Sequence, residues 1–151
     1  MSRLDDLARH VAQAAGWATP SPGGDGAYAF RLEGDLDVTL FSPDGRTGIM
    51  QADLVRLPDD SRAAETLLAD SARHALARGR TRKSVIALDG TMLVLHRQLN
   101  VDTASPDEAT AAMRDFLNDL AWWKRTLVPS AQGSAPAGGA MPAGVPWIPI
   151  R

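Results

Sequence analysis

The chain of 151 residues has no cysteine and only three histidines. Without a thiol it forms no disulfide and uses no thiolate as nucleophile or ligand. His10, His74 and His96 fall on three different predicted elements, and no two have the spacing of a metal pair. No serine sits in a G-x-S-x-G elbow, and no glycine-rich loop is placed to cradle a phosphate. No segment reaches the ~18 consecutive apolar residues of a membrane span. The N-terminal stretch carries Asp5 and Asp6 and no long apolar run, unlike a secretory signal. Excess charge is small as well, at −2, so nucleic acid and anionic membrane find no broad attraction. These absences point to a small cytoplasmic protein that works by binding, is no enzyme, and needs neither cofactor nor metal.

The length is that of a single domain. Residues 130–151 are rich in proline, glycine and alanine, and Arg151 is their sole charge. Such a stretch has little to bury and much entropy to lose, so it is expected to be a flexible tail. The folded domain is therefore expected over residues 1–129.

Within the domain the periodicity switches between helix and strand. Residues 2–15 place Leu4, Leu7, Ala8, Val11 and Ala15 on one helical stripe, with Ser2 as cap and Gly16 at the exit. Trp17 is expected to fold back over this end. Residues 19–26 form a loop. Tyr28, Phe30 and Leu32 then alternate with polar or small residues, as do Leu36, Val38 and Leu40, which predicts two half-buried strands. Ser42–Arg46 contains Pro43 and Gly45 and is a turn. A third strand lies within residues 47–55, giving an antiparallel meander with one face free for a helix.

A second helix is predicted over residues 60–77, with Ala64, Leu67, Leu68, Ser71, Ala72 and Ala75 on one alanine-rich face. Strands over residues 84–88 and 91–99 flank Asp89-Gly90, a strong hairpin signal. Both faces of this hairpin are largely apolar, so one is expected against helices and the other against a further partner. The last helix begins with Ser105, Pro106 and Glu108 in a capping box. Its stripe is Ala109, Met113, Phe116, Leu120, Trp123 and Leu127, widened by Ala112 and Leu117. Trp122 lies off the stripe, and Pro129 is expected to end the element.

Three groups of polar residues were candidates for a site. His96 beside Arg97, with Tyr28, would suit a ligand or enzymatic pocket between sheet and helices. Arg78, Arg80, Arg82 and Lys83 form a basic run that reads as a solvated turn, an acidic protein contact or a weak nucleic-acid site. Asp35 and Asp37 could share a cation but read as the solvent side of a strand.

The element order α-β-β-β-α-β-β-α resembles the class I chaperones of bacterial type III secretion. The first helix into Gly16, the strands across Phe30–Phe41, the helix containing Leu67 and Leu68, the hairpin Val85–Leu99 and the closing helix with Phe116 carry the likeness. It spans about residues 3 to 127. The resemblance implies an α+β fold, a twisted antiparallel sheet with helices mainly on one side. It also implies a homodimer that hydrolyses no ATP. Such a dimer binds the N-terminal segment of a secreted effector in an extended state and passes it to the export apparatus and its ATPase. Carried onto this chain, the dimer contact would involve Ala64, Leu67, Leu68, Ala72, Val85, Ala87, Leu93 and Leu95. The effector grooves would be lined or supported by Leu7, Val11, Phe30, Val38, Phe41 and Met50. Neither nucleic acid nor membrane insertion is expected. The tail is longer than a minimal member of that family needs, and its end Pro146–Ile150, with Trp147 and two isoleucines, reads either as an added contact or as a disordered tail carrying a stray tryptophan.

Overall fold

A computed structural model describes residues 2–131, and the expected tail beyond them lies outside the described residues. The elements are α1 (Arg3–Ala15), β1 (Tyr28–Phe30), β2 (Val38–Phe41), β3 (Thr47–Arg56), α2 (Ser61–Arg78), β4 (Val85–Asp89), β5 (Met92–Asn100) and α3 (Pro106–Ala131). This is the expected α-β-β-β-α-β-β-α order. The strands form one antiparallel sheet in the order β1-β2-β3-β5-β4. The α2 crossover therefore inserts β5 beside β3 and leaves β1 and β4 as the two edges.

Local chemistry starts and stops the helices. Ser2 Oγ accepts from the Asp5 N–H at 3.2 Å, while the Asp5 carboxylate accepts from the Ser2 N–H at 2.6 Å. This reciprocal box satisfies two amides that the first turn of α1 would leave unpaired. Gly16 closes α1 in the left-handed region at φ 72°, where a side chain would be strained. Trp17 then turns back and meets Phe30 with ring centroids 5.7 Å apart. Ser105 and Glu108 form the same kind of box at α3, at 3.2 and 2.7 Å. That helix continues through Pro129 to Ala131, so proline does not end it as expected.

Alternation along the strands decides what the helices cover. Tyr28, Phe30, Val38, Leu40, Met50, Ala52, Leu93 and Leu95 are buried and face α1 and α3. From the helices come Leu7, Val11, Met113, Phe116, Leu120 and Trp123, all buried in the same core. Every residue of the predicted α3 stripe is buried. A register shift between Asp53 and Val55 interrupts the long β3–β5 ladder. In the late hairpin Asp89 pairs with Met92, so the two-residue loop is Gly90-Thr91 rather than Asp89-Gly90. Only Gly90 takes positive φ there, at 59°, which fits a glycine-first hairpin turn.

Candidate interaction site

α2 is the helix whose apolar content the protomer does not use up. It spans 18 residues yet fully buries only Leu67 and Ser71. By contrast, α1 is shorter and buries six residues. Among the described residues, the large hydrophobic ones left exposed are Leu68 (37%), Leu76 (80%), Val85 (49%) and Leu88 (50%). All four lie on α2 or on the edge strand β4. Val85 shares the open sheet face with His96 and Leu88 the covered face with Leu93, so exposed apolar residues lie on both sides of the unpaired edge of β4, a feature of contact surfaces.

A polar cluster pins the C-terminal end of α2 to α3. Asp119 is buried, and its Oδ1 accepts from Arg78 at 3.0 Å, with Arg82 Nε at 3.6 Å. The Arg78 guanidinium lies 3.9 Å from the centre of the Trp122 ring. Trp122 meets Trp123 edge-on at 5.1 Å, and His74 meets both tryptophans edge-on. A guanidinium between a carboxylate and an indole face keeps hydrogen-bonding and cation–π partners together. Between this cluster and β4 is a cavity of about 260 Å³, walled by Ala75, Arg78, Arg82, Ser84, Val85 and Trp123 among others. Arg78 Nε and Ser84 Oγ are buried without hydrogen-bond partners among the described residues. The basic run is therefore split. Arg78 and Arg82 engage Asp119, whereas Arg80 and Lys83 are exposed. Asp119 was not anticipated, because an acid on the covered side of a helix carries no sequence signal until its cationic partner is placed.

The second surface is the sheet face turned away from α1 and α3. It presents Thr39 exposed, with Phe41, Ile49, Gln51 and His96 half-buried. Phe41 pairs with Ile49, and Gln51 with His96, so these side chains form adjacent cross-strand pairs. The result is a shallow apolar strip between polar neighbours.

Several residues anticipated as contacts have other positions. Leu67, Leu93 and Leu95 are buried within the protomer. Ala64 and Ala87 are half-buried, and Leu68, Ala72 and Val85 are exposed. Of the residues assigned to effector grooves, Leu7, Val11, Phe30, Val38 and Met50 are core residues that can only support a groove from beneath. Phe41 alone of that set reaches the open face. Alternation identifies an apolar face without saying whether a helix or a partner covers it.

The pocket anticipated around His96 does not assemble. His96 is on the open face of β5, Arg97 on the covered face, and Tyr28 on the covered face of β1 across β2 and β3. Arg97 instead reaches Ala112 O at 3.4 Å and Asp115 at 3.7 Å. Asp35 and Asp37 precede β2 rather than lying on it. The Asp37 carboxylate accepts from the Leu32 N–H, and the Asp35 carbonyl accepts from Lys124 Nζ. Among the described residues no cluster of three potential metal ligands occurs, and no helix is long and apolar enough to cross a membrane.

An open five-stranded sheet with helices on one face, and an under-covered helix beside a free edge, present surface that a partner could cover. The chain belongs to the Tir chaperone protein (CesT) family, whose model matches residues 6–124. The family is one of chaperones, proteins that work by binding. A search by sequence against curated proteins finds no match. Solved structures share the fold at low identity. The ExsC–ExsE complex aligns with TM-score 0.65 and 18% identity, over 84% of this chain and 97% of the other. SycH, the Yersinia pestis type III secretion chaperone solved with a fragment of YscM2, aligns at 0.58 and 17%, over 80% and 98%. The HopA1–SchA chaperone–effector complex aligns at 0.60 and 15%, over 82% and 95%.

Proposed function

We propose that the protein is a cytoplasmic homodimer that holds the N-terminal segment of a type III secreted effector in an extended state, for delivery to the export apparatus and its ATPase. Family membership supports the binding role. The observation that carries the reading on this chain is the exposed apolar set on α2 and β4, which a second copy would cover. Its accessible members from the anticipated contact are Leu68, Ala72, Val85 and, partly, Ala64 and Ala87. The effector would run over the open sheet face past Phe41 and along the part of edge strand β1 beyond Tyr28, which itself bridges Pro22. An extended chain pairs its backbone with a free edge and drops alternate side chains into shallow apolar sites. Holding it extended also keeps its apolar residues from aggregating.

The test is light scattering coupled to size exclusion, on the protein alone and after co-expression with secreted proteins of the same organism. A species of twice 16.1 kDa that captures one extended N-terminal segment supports the proposal. A monomer that captures none refutes it.

A further inference from the structure

The cavity of about 260 Å³ at the end of α2 has polar and apolar walls that the chaperone reading does not use. Arg78, Arg82, Ser84 and Asp119 make its polar side, and Ile86 and Trp123 supply apolar surface. Both arginines turn to one oxygen of Asp119, Arg78 at 3.0 Å and Arg82 Nε at 3.6 Å. Two positive charges in the walls therefore face one negative charge. On the turn outside, Arg80 and Lys83 are exposed, and Lys83 is offset in part by Glu108, whose carboxyl it helps to lower. Arg78 Nε and Ser84 Oγ are buried without a hydrogen-bond partner among the described residues. The Trp122 ring covers one face of the Arg78 guanidinium, 3.9 Å away. A further acceptor must therefore approach in the guanidinium plane, which is how a carboxylate binds.

We propose that this cavity binds a small organic acid, a single carboxylate on a short apolar body. One carboxylate oxygen accepts from Arg78 Nε and the other from the Ser84 hydroxyl, and the negative charge balances the second guanidinium. The apolar body lies against Ile86 and the Trp123 ring. A few placed polar groups in a largely apolar hollow are the usual make-up of a small-molecule site. The volume suits such a ligand, since a cavity of about 150 Å³ already holds a benzene ring. Water would supply acceptors for the two donors but no charge to offset the arginine excess. Phosphate would supply charge, yet its whole surface asks for hydrogen bonds that the apolar walls cannot give. The site belongs to one protomer and is independent of what covers Leu68 or the open sheet face. Occupancy would tie the end of α2 to β4 and α3, because the walls come from all three and from the turn before β4.

The full chain can be titrated with hexanoate at constant ionic strength. Tryptophan fluorescence reads occupancy through Trp123, and thermal unfolding reads the linked stabilisation. Hexanoate should give a saturable change and raise the melting temperature. Hexanamide, its neutral counterpart, and inorganic phosphate should do neither. Ser84→Ala should weaken hexanoate binding about tenfold, the effect of one hydrogen bond to a charged group. Arg82→Gln, at a half-exposed side chain, should weaken it at least as much, with circular dichroism confirming that both variants fold. No saturable response up to about 10 mM hexanoate overturns the proposal. So does an equal response to hexanamide, which makes the cavity a purely apolar site, or to phosphate, which makes it a general anion site. Unchanged binding in both folded variants places the acid elsewhere and overturns it too.

Discussion

Asp119→Ala should destabilise the protein by about 2–3 kcal/mol and loosen the end of α2, because removing one member of a buried ion pair strands the other charge. Fully buried pairs cost about 3–5 kcal/mol when broken this way. The lower range applies here because the Arg78 and Arg82 side chains keep 22% and 44% of their exposure, whereas Asp119 keeps 3%. Arg78 would retain the Trp122 face, though a ring attracts a guanidinium less than a carboxylate does. Urea unfolding at fixed protein concentration measures the loss. Tryptophan fluorescence is a suitable probe because Trp122 and Trp123 border the pair. Amide exchange should rise first at the C-terminal turn of α2, since this cluster ties that turn to α3. Asp119→Asn keeps an acceptor for Arg78 and should cost less than Asp119→Ala. Arg78→Met combined with Asp119→Leu should recover much of the loss by removing the two more buried charges, since the remaining Arg82 side chain is 44% exposed and can turn to solvent. A loss below about 0.5 kcal/mol for Asp119→Ala, the size of an ordinary surface substitution, would refute the reasoning.

Neighbouring residues on α2 should respond in opposite ways. Leu67→Ala should cost about 2–4 kcal/mol in urea unfolding by opening a core cavity, whereas Leu68→Asp should split the dimer in light scattering and leave unfolding of the protomer nearly unchanged. On the open sheet face, Phe41→Glu should weaken capture of a secreted segment in co-purification while the circular dichroism melt stays within a few degrees. The pH dependence of the α3 cap follows from Glu108. The Ser105 N–H, and then its hydroxyl, hold this carboxyl below its ordinary value of 4.5. A lowered folded value means that the stabilisation is present above 4.5 and is lost as pH falls through the lowered value. Exchange of the Ser105 amide should therefore accelerate on acidification below pH 4.5, and Glu108→Gln should abolish that dependence.

How legible each feature was depends on the range of the interaction that makes it. Helix caps are local, so Ser2 with Asp5 and Ser105 with Glu108 could be read directly. The α3 stripe was equally plain, because one long helix buried on one side displays its own period. Strand faces were legible as faces: Tyr28 with Phe30, and Val38 with Leu40, do share a side. The hairpin loop was misread by one residue, since glycine's positive φ can serve more than one turn type and cross-strand pairing selects between them. Pro129 was misread as a stop because proline opposes a helix without vetoing it.

The functional surfaces were harder to read for a physical reason. Burial by the protomer and burial by a partner leave the same mark on a sequence, an apolar residue at a periodic position. Leu67 and Leu68 were therefore assigned alike, although one is core and the other is exposed. The sequence by itself determined the order of elements, their caps, the core stripes and the likeness to secretion chaperones. Only the tertiary structure decided which side of each strand α1 and α3 cover, that Arg78 and Arg82 converge on Asp119, and that α2 and β4 keep apolar surface to spare. Those features depend on contacts between residues far apart in the chain, whose geometry exists only once the layers have packed.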